Sequence, residues 1–340
     1  MFKNIFKIKP GLIVGMDIGN SSVKIVQLRV QHLSGAKELI SFNVVPFKSN
    51  ERSDILQAIR TVAKNIQNSS KLVNISVSGQ AVIVRYIQMP KMARQDIEKA
   101  LQFEVGKYIP FNLNEVNYDF QILDELKSPD KKIQILLVAV KKEIIEERIQ
   151  LLSDAGLIPN LIDVDSFAII NSFQLIPQEN NFPIAILDIG ADITSIMALK
   201  ENMPFFNRDV HIGGKHLTEA IVNGFEISPK VAEEFKIHPK EKYGELVNVV
   251  RPVLSRLCVE IQSSFSYCEA QISQPIQKVF LTGGTAKFKG IDKILSSILD
   301  ADVQIWDPAQ ILQRDDSLSK EQLEEMGPLL TVSIGLALRG

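Results

Sequence analysis

Residues 12–28 read LIVGMDIGNSSVKIVQL, and residues 184–199 read IAILDIGADITSIMAL. Each stretch contains an apolar segment, the tripeptide Asp-Ile-Gly, a short polar turn and a second apolar segment. Apolar segments of this length on both sides of a glycine-containing turn predict a β-hairpin, with Asp17 or Asp188 at its tip. The repeat of the motif at this distance predicts two similar lobes with a cleft between them.

Two hairpins that face each other would form a phosphate clamp. Turn amides bind phosphate oxygens, and carboxylates can hold a hydrated Mg²⁺. One Asp-x-Gly turn alone is ordinary turn chemistry. The second copy strengthens the hypothesis, and so does VFLTGGTAKFKGI at residues 279–291. There, Gly283 and Gly284 allow close approach of the backbone to a ligand, and the helix that follows favours an anion at its N-terminus.

The composition indicates an ordinary globular chain. With 340 residues, two domains are expected, and the net charge of −2 gives no basic excess for binding nucleic acid. Cys258 and Cys268 are expected to be reduced and buried, and the four histidines lack the spacing of a zinc site. No apolar run approaches the length of a membrane span, and residues 1–10 lack the apolar core of a signal peptide.

Residues 80–156 have the pattern of a module inserted into the first lobe. The sequence predicts the order strand, helix, strand, strand, helix, at residues 81–88, 93–105, 116–123, 133–140 and 141–155. The first of these helices is expected to bury Ile97, Leu101 and either Phe103 or Glu104. The apolar run at residues 108–111 has two interpretations. It contributes to a groove that binds a peptide, with the module as one wall and the first lobe as the other, or it belongs to the core of the module.

The order of the motifs resembles that of the actin/Hsp70/sugar-kinase superfamily. The order is DIG, DIG, HIGGKHL at residues 211–217, VAEEFK at 231–236 and TGG at 282–284. Within the superfamily, the chain is similar to the PilM family, the cytoplasmic actin-like proteins of type IV pilus assembly. Residues 12–28, 86–120 and 162–173 carry this closer match, which covers nearly the whole chain. The resemblance implies an α/β, actin-like ATPase fold with two lobes around a nucleotide cleft and an inserted SHS2-type (strand–helix–strand–strand) subdomain.

The resemblance also implies four subdomains. The first lobe (1A) would comprise residues 1–79, 157–180 and 326–340, and the inserted subdomain (1C) residues 80–156. The second lobe (2A) would comprise residues 181–217 and 275–325, with residues 218–274 as its upper part (2B). Small residues in the apolar segment 328–338 suit a helix packed tightly between the lobes.

The same resemblance implies a set of residues that bind ATP. They are Asp17, Gly19, Asn20, Ser21 and Lys24 at the first phosphate turn; Asp188, Gly190 and Asp192 at the second; Gly213 and Gly214 at a phosphate-facing helix start; Glu233 and Lys236 beside adenine and ribose; and Gly283, Gly284 and Lys287 in the adenosine motif. Asp17 and Asp188 would hold Mg²⁺ through water. Asp165 lies where hydrolysing relatives place a carboxylate that orients water.

Some of these assignments have structural alternatives. Glu233 and Lys236 also fit a solvated helix pair at i,i+3, and Asp165 also fits a helix N-cap. The second hairpin departs from the pattern of many relatives because Thr194 is shifted, so it is not expected to reach a γ-phosphate. Hydrolysis needs a positioned water and charge stabilisation. The sequence therefore supports ATP binding better than turnover, and at most slow ATPase activity is expected.

The implied function is that of a scaffold in the inner-membrane platform of type IV pilus assembly. The chain would be cytoplasmic, would bind the N-terminal cytoplasmic tail of PilN, and would be held at the membrane by that partner; homo-oligomers are compatible with the family. One alternative is an FtsA-like division protein, which the lack of an amphipathic membrane helix after residue 338 disfavours. The other is a small-molecule kinase, which the lack of a substrate-binding insertion disfavours.

Overall fold

The computed structural model describes residues 11–30, 36–67, 71–125, 132–176 and 182–339, and the segment 1–10 considered above lies outside them. The first part of the chain forms a β-hairpin, and each of its two strands pairs with one further strand. Its elements are β1 (Gly11–Ile18), β2 (Ser22–Val30), β3 (Lys37–Pro46), α1 (Arg52–Ala63) and β4 (Leu72–Val77). β2 pairs antiparallel with β1 and β3, and β4 pairs parallel with β1.

Residues Val77–Gly156 form a compact unit of their own. Its elements are β5 (Val82–Pro90), α2 (Arg94–Glu104), β6 (Val116–Glu125), β7 (Lys132–Lys141) and α3 (Lys142–Asp154). The strands form an antiparallel sheet in the order β5-β7-β6. The predicted order of strands and helices is therefore observed in this unit.

The core of this unit decides between alternatives of the sequence interpretation. Ile97 and Leu101 are buried as predicted; Phe103 is 87% exposed, Glu104 is half-buried, and Val105 takes the next core position. The apolar run belongs to the core, because Ile109 is buried and Tyr108 and Phe111 pack against the same cluster. The interpretation of that run as part of the module's core is therefore the correct one.

The rest of the chain completes the first sheet and builds the second lobe. Its elements are β8 (Ile158–Val164), α4 (Asp165–Phe173), β9 (Ile184–Ile189), β10 (Thr194–Lys200), β11 (Met203–Val210), α5 (Gly214–Phe225), α6 (Pro229–Ile237), α7 (Tyr243–Ile272), β12 (Lys278–Thr282), α8 (Ile291–Leu299), β13 (Asp302–Ile305), β14 (Gln313–Arg314), α9 (Lys320–Met326) and α10 (Thr331–Ala337). The sheets have the strand orders β14-β3-β2-β1-β4-β8 and β11-β10-β9-β12-β13. None of the helices in the described part of the chain is long and apolar enough to cross a membrane.

Both predicted hairpins are confirmed. In the first, Asp17 on β1 pairs with Lys24 on β2. In the second, Asp188 on β9 pairs with Ser195 on β10. The first strand of each hairpin also has a parallel neighbour on its other side, β4 in one sheet and β12 in the other. The two lobes therefore share a local plan, with the aspartate at the carboxyl end of a central strand.

The short helix α10 packs very closely against β1 and α4. A Cβ atom on Gly335 would lie 1.7 Å from the carbonyl oxygen of Ala168 in α4, and one on Gly15 would lie 2.1 Å from the carbonyl oxygen of Ser333. Asn74 adds hydrogen bonds from its side-chain amide to the carbonyl oxygens of Leu336 (2.9 Å) and Arg339 (2.6 Å). This contact fixes β1, which carries Asp17, relative to α4, which begins at Asp165.

We predict that Gly335→Ala lowers the free energy of unfolding by about 3 kcal/mol or more, since a new methyl group in a filled contact forces the backbone apart. Gly244→Ala is the matched control, because a Cβ atom at this position of α7 meets nothing within 4 Å. It should leave stability unchanged or raise it by up to about 1 kcal/mol. Urea denaturation followed by circular dichroism measures both variants. Equal midpoints for the two variants would contradict the packing argument.

Candidate functional site

Three aspartates lie near one another beside the turns that connect the strands of the two hairpins. Asp17 lies near the end of β1, Asp188 near the end of β9, and Asp165 is the first residue of α4. Lys24 lies among them, with its Nζ 2.8 Å from Asp17 Oδ2. Burial alone would lower the pKa of Lys24, but the charges of Asp17, Asp188 and Asp165 raise it above its ordinary value. The lysine is therefore held in its charged form.

The surroundings of Asp188 disfavour the ionised form of its carboxyl group. Burial, followed by the charges of Asp165 and Asp17, raises its pKa to about 7, while Lys24 acts in the opposite direction. A cation placed between these carboxylates would relieve the repulsion. Within the described residues, no three His, Cys, Asp or Glu side chains form a cluster that could hold a metal ion directly. Carboxylates can also hold a hydrated Mg²⁺ through its water, the mode that this ion often adopts.

The position of Asp165 settles one of the sequence alternatives. Val164 occupies the N-cap position of α4, and Asp165 is the first helical residue. The interpretation of Asp165 as the N-cap is therefore wrong. Its charge acts on both Asp188 and Lys24, which places it within the electrostatic environment of the cleft.

The first phosphate turn presents an open backbone. The amide of Gly19 donates to the carbonyl oxygen of Ser22 at 3.2 Å, which closes the turn, and Asn20 and Ser21 are exposed. A Cβ atom on Gly19 would lie 2.7 Å from Lys24 Nζ. Glycine at this position therefore leaves room for the lysine beside Asp17.

Glycines bring the second phosphate turn into direct contact with the start of α5. The carbonyl oxygen of Gly190 accepts hydrogen bonds from the amide of Gly214 at 2.8 Å and from Thr285 Oγ1 at 3.0 Å. A Cβ atom on Gly213 would lie 2.6 Å from the carbonyl oxygen of Ala191. A larger residue at position 213 would therefore separate the turn from the helix.

Two polar side chains on the second turn have different surroundings. Thr194 is fully buried and donates through Oγ1 to the carbonyl oxygen of Ile212 at 2.6 Å. This bond engages the Thr194 hydroxyl within the second lobe. Asp192 instead pairs with Lys215, whose Nζ lies 2.8 Å from Asp192 Oδ2. Sequence reasoning missed Lys215, although it directly follows the glycine pair.

Lys236 lies in a buried polar network at the base of α6. Its Nζ contacts Glu233 Oε1 at 2.9 Å, Thr218 Oγ1 at 2.8 Å and the carbonyl oxygen of Gly214 at 3.2 Å. Burial lowers the pKa of Lys236, and Glu233 partly offsets this effect. Because Lys236 is buried and Glu233 is more than half exposed, the pair is not simply solvated. The network fixes Lys236 in place, while the carboxylate of Glu233 stays partly exposed to solvent.

The paired glycines after β12 differ in their surroundings. Gly283 has φ +88°, and a Cβ atom there would lie 2.2 Å from Asp188 Oδ1, so the turn passes directly over the aspartate. Gly284 is exposed, and a Cβ atom there would meet only Leu329 Cγ, at 3.9 Å. Lys287 pairs with Glu325 at 3.2 Å, which directs its ammonium toward α9.

Comparison with known proteins identifies the family of the chain. A family model described as "Type IV pilus assembly protein PilM" matches residues 15–340. A solved structure of a PilM–PilN type IV pilus biogenesis complex is similar, with a TM-score of 0.84 and 30% identity over 96% of this chain and 98% of that one.

More distant relatives share the fold. The cell division protein FtsA of Borreliella burgdorferi is 21% identical over 96% of this chain and 90% of its own length. The structure of MreB5 of Spiroplasma citri bound to AMPPNP matches with a TM-score of 0.50 and 11% identity over 96% of this chain and 95% of that one. The α/β, actin-like ATPase fold predicted from the motifs is confirmed. The match of the family model over nearly the whole chain shows that it belongs to the PilM family of type IV pilus assembly proteins.

Proposed function

We propose that this chain is an ATP-binding scaffold of type IV pilus assembly, with ATP·Mg²⁺ held between the two Asp-Ile-Gly hairpins. One observation carries the proposal. Asp17, Asp165 and Lys24 lie close enough to Asp188 for their charges to act on it, and the pKa of Asp188 is raised to about 7. A strongly shifted acid among interacting charged groups is typical of functional sites. The AMPPNP bound by MreB5, which shares the fold, supports a nucleotide as the ligand.

In this proposal each group at the cleft contacts one part of the ligand. The backbone of the turns at residues 19–21 and 190–192 binds phosphate oxygens, and the N-terminus of α5 adds favourable charge. Asp17 and Asp188 hold Mg²⁺ through its bound water, and the charge of the ion neutralises the repulsion between the two carboxylates. Glu233 borders the ribose, and the open face of Gly284 accepts the adenosine.

We infer that ATP turnover is at most slow. Thr194 is engaged by the carbonyl oxygen of Ile212, so its hydroxyl is committed within its own lobe. Asp165 is the candidate for orienting a water, because its charge reaches Asp188. Efficient phosphoryl transfer would need further groups that stabilise the charge of the transition state. Binding is therefore the main role assigned to the cleft.

The proposed partner is the N-terminal cytoplasmic tail of PilN, which would hold the chain at the inner membrane. The solved PilM–PilN complex, with its 30% identity to this chain, supports this partner. The unit Val77–Gly156 presents an apolar anchor in Phe103, which is 87% exposed on α2. Exposed aromatic residues are favoured as anchors at protein interfaces. We therefore assign the surface around Phe103 to this partner, whereas the FtsA relatives, at 20–22% identity, favour a division role less.

Gly284→Asp tests the nucleotide site without disturbing the empty fold, because its side chain would enter open space. A ligand that binds only the folded state raises the melting temperature. ATP·Mg²⁺ at millimolar concentration should raise the melting temperature of the wild type but not of Gly284→Asp, whose carboxylate repels the nucleotide. Gly244→Asp, an exposed glycine on α7, is the matched control and should keep the shift. An equal shift in all three proteins would place the nucleotide elsewhere.

The raised pKa of Asp188 predicts how stability depends on pH in the absence of ligand. Its pKa of about 7 in the folded protein exceeds the ordinary value of 3.8, so ionisation opposes folding. The protonated carboxyl group is favoured in the folded state, and this advantage is lost as pH rises from about 4 through about 7. Asp188→Asn should therefore become progressively more stable than the wild type over that range. Urea titrations at pH 4.5, 6 and 8 measure the difference; a difference that does not vary with pH would be inconsistent with the shift.

The partner surface is tested by titrating a labelled peptide of the PilN tail against the full chain. Phe103→Ser should weaken binding at least about tenfold, as expected for loss of an interface anchor worth about 1.4 kcal/mol or more. Ile149→Ser is the matched control, because Ile149 is 41% exposed on α3 of the same unit. Unchanged affinity in Phe103→Ser would remove this surface from the proposal.

A further inference from the structure

Lys215 links the two phosphate turns across the cleft. It is the second residue of α5, and its amide donates to the carbonyl oxygen of Ala191 at 2.8 Å, which anchors its backbone to the second turn. Its Nζ lies 2.8 Å from Asp192 Oδ2 on that turn and donates to the carbonyl oxygen of Asn20 on the first turn at 3.4 Å. One ammonium group therefore bridges the two lobes at the tips of their hairpins.

The other lysines near the cleft are held more firmly. Lys24 is paired with Asp17 across neighbouring strands, and its side chain is only 14% exposed. Lys236 lies in the buried network with Glu233. Lys215, by contrast, is 42% exposed. An exposed ion pair is weakly held, and 3.4 Å is long for a hydrogen bond to a carbonyl oxygen. The ammonium of Lys215 is therefore the one best able to exchange its partners.

A nucleotide at the proposed site would supply a better partner. Its phosphates would lie between the turns at residues 19–21 and 190–192, the two segments that Lys215 spans. Phosphate oxygens carry more negative charge than a backbone carbonyl, and charge-assisted hydrogen bonds to phosphate are strong. The N-terminus of α5 adds to the attraction. The phosphate that reaches both hairpin tips would draw the ammonium away from Asn20 and Asp192.

We propose that Lys215 is a specificity-determining residue that binds the terminal phosphate of ATP and so distinguishes ATP from ADP. This inference rests on the nucleotide site proposed above and assigns a role to a residue outside its motifs. The same ammonium contacts both turns, through Asp192 and Asn20. When the triphosphate binds, Lys215 exchanges its contacts with Asp192 and Asn20 for the terminal phosphate, which itself contacts both turns. The connection between the two turns therefore depends on the number of phosphates.

Isothermal titration calorimetry of the full chain with Mg²⁺ and ATP, ADP or adenosine tests the assignment. In Lys215→Met, the affinity for ATP should fall by about tenfold or more, as expected for loss of a hydrogen bond to a charged group, while the affinities for ADP and adenosine should change much less. Lys215→Arg keeps the charge and should retain the preference for ATP. Lys293→Met removes an exposed lysine of α8 and should leave all three affinities unchanged.

The other outcomes are equally informative. Equal losses for ATP, ADP and adenosine in Lys215→Met would overturn the assignment and leave the nucleotide site standing. The same loss of ATP affinity in Lys293→Met would attribute the effect to general charge and also overturn it. If the wild type binds inorganic tripolyphosphate through Lys215 but binds no nucleotide, the proposed function fails while the role of Lys215 in binding phosphate survives. If the wild type binds neither ligand, both proposals fail.

Discussion

The burial of Asp188 beside two further carboxylates is the constraint on which the rest of the cleft depends. Burial, followed by the charges of Asp165 and Asp17, raises the pKa of Asp188 to about 7 even with Lys24 nearby. Side chains that repel each other stay together only if the backbone that carries them is held rigidly. Here that backbone belongs to a central strand of each sheet and to the first turn of α4.

Close packing supplies the rigidity in the first lobe. Gly15 lets β1 approach α10, and Gly335 lets α10 approach α4, to distances that no side chain would allow. The arginine that follows α10 adds a buried ion pair, Arg339 to Asp163 at 2.7 Å. Two of the three aspartates are thus carried by elements that α10 holds together. In the second lobe the same purpose is served by Gly213 and Gly283, which let the backbone of two further segments lie against the hairpin at Asp188.

Much of this could be predicted from the sequence, because hairpins and glycine turns leave local signals. Apolar segments around Asp-Ile-Gly were sufficient for both hairpins, and glycine pairs marked the other two segments. Features that depend on tertiary packing were missed or misassigned. Phe103 was misassigned although helical spacing argues against it: it lies two residues after Leu101, whereas Val105 lies four residues after Leu101, on the same face, and joins the core. Nothing in the sequence distinguishes Lys215 from an ordinary surface lysine, because its contact with Asn20 joins residues nearly 200 positions apart.

The central claim is that the two Asp-Ile-Gly hairpins clamp a nucleotide and its metal. A crystal structure of the chain with AMPPNP and Mn²⁺ tests it most directly, because the anomalous signal of Mn²⁺ locates the ion independently of the nucleotide. The account predicts one ion between Asp17 and Asp188, bound through water, with phosphates against the turns at residues 19–21 and 190–192. An ion or a nucleotide bound outside this cleft, or a cleft that stays empty at saturating ligand, would contradict it.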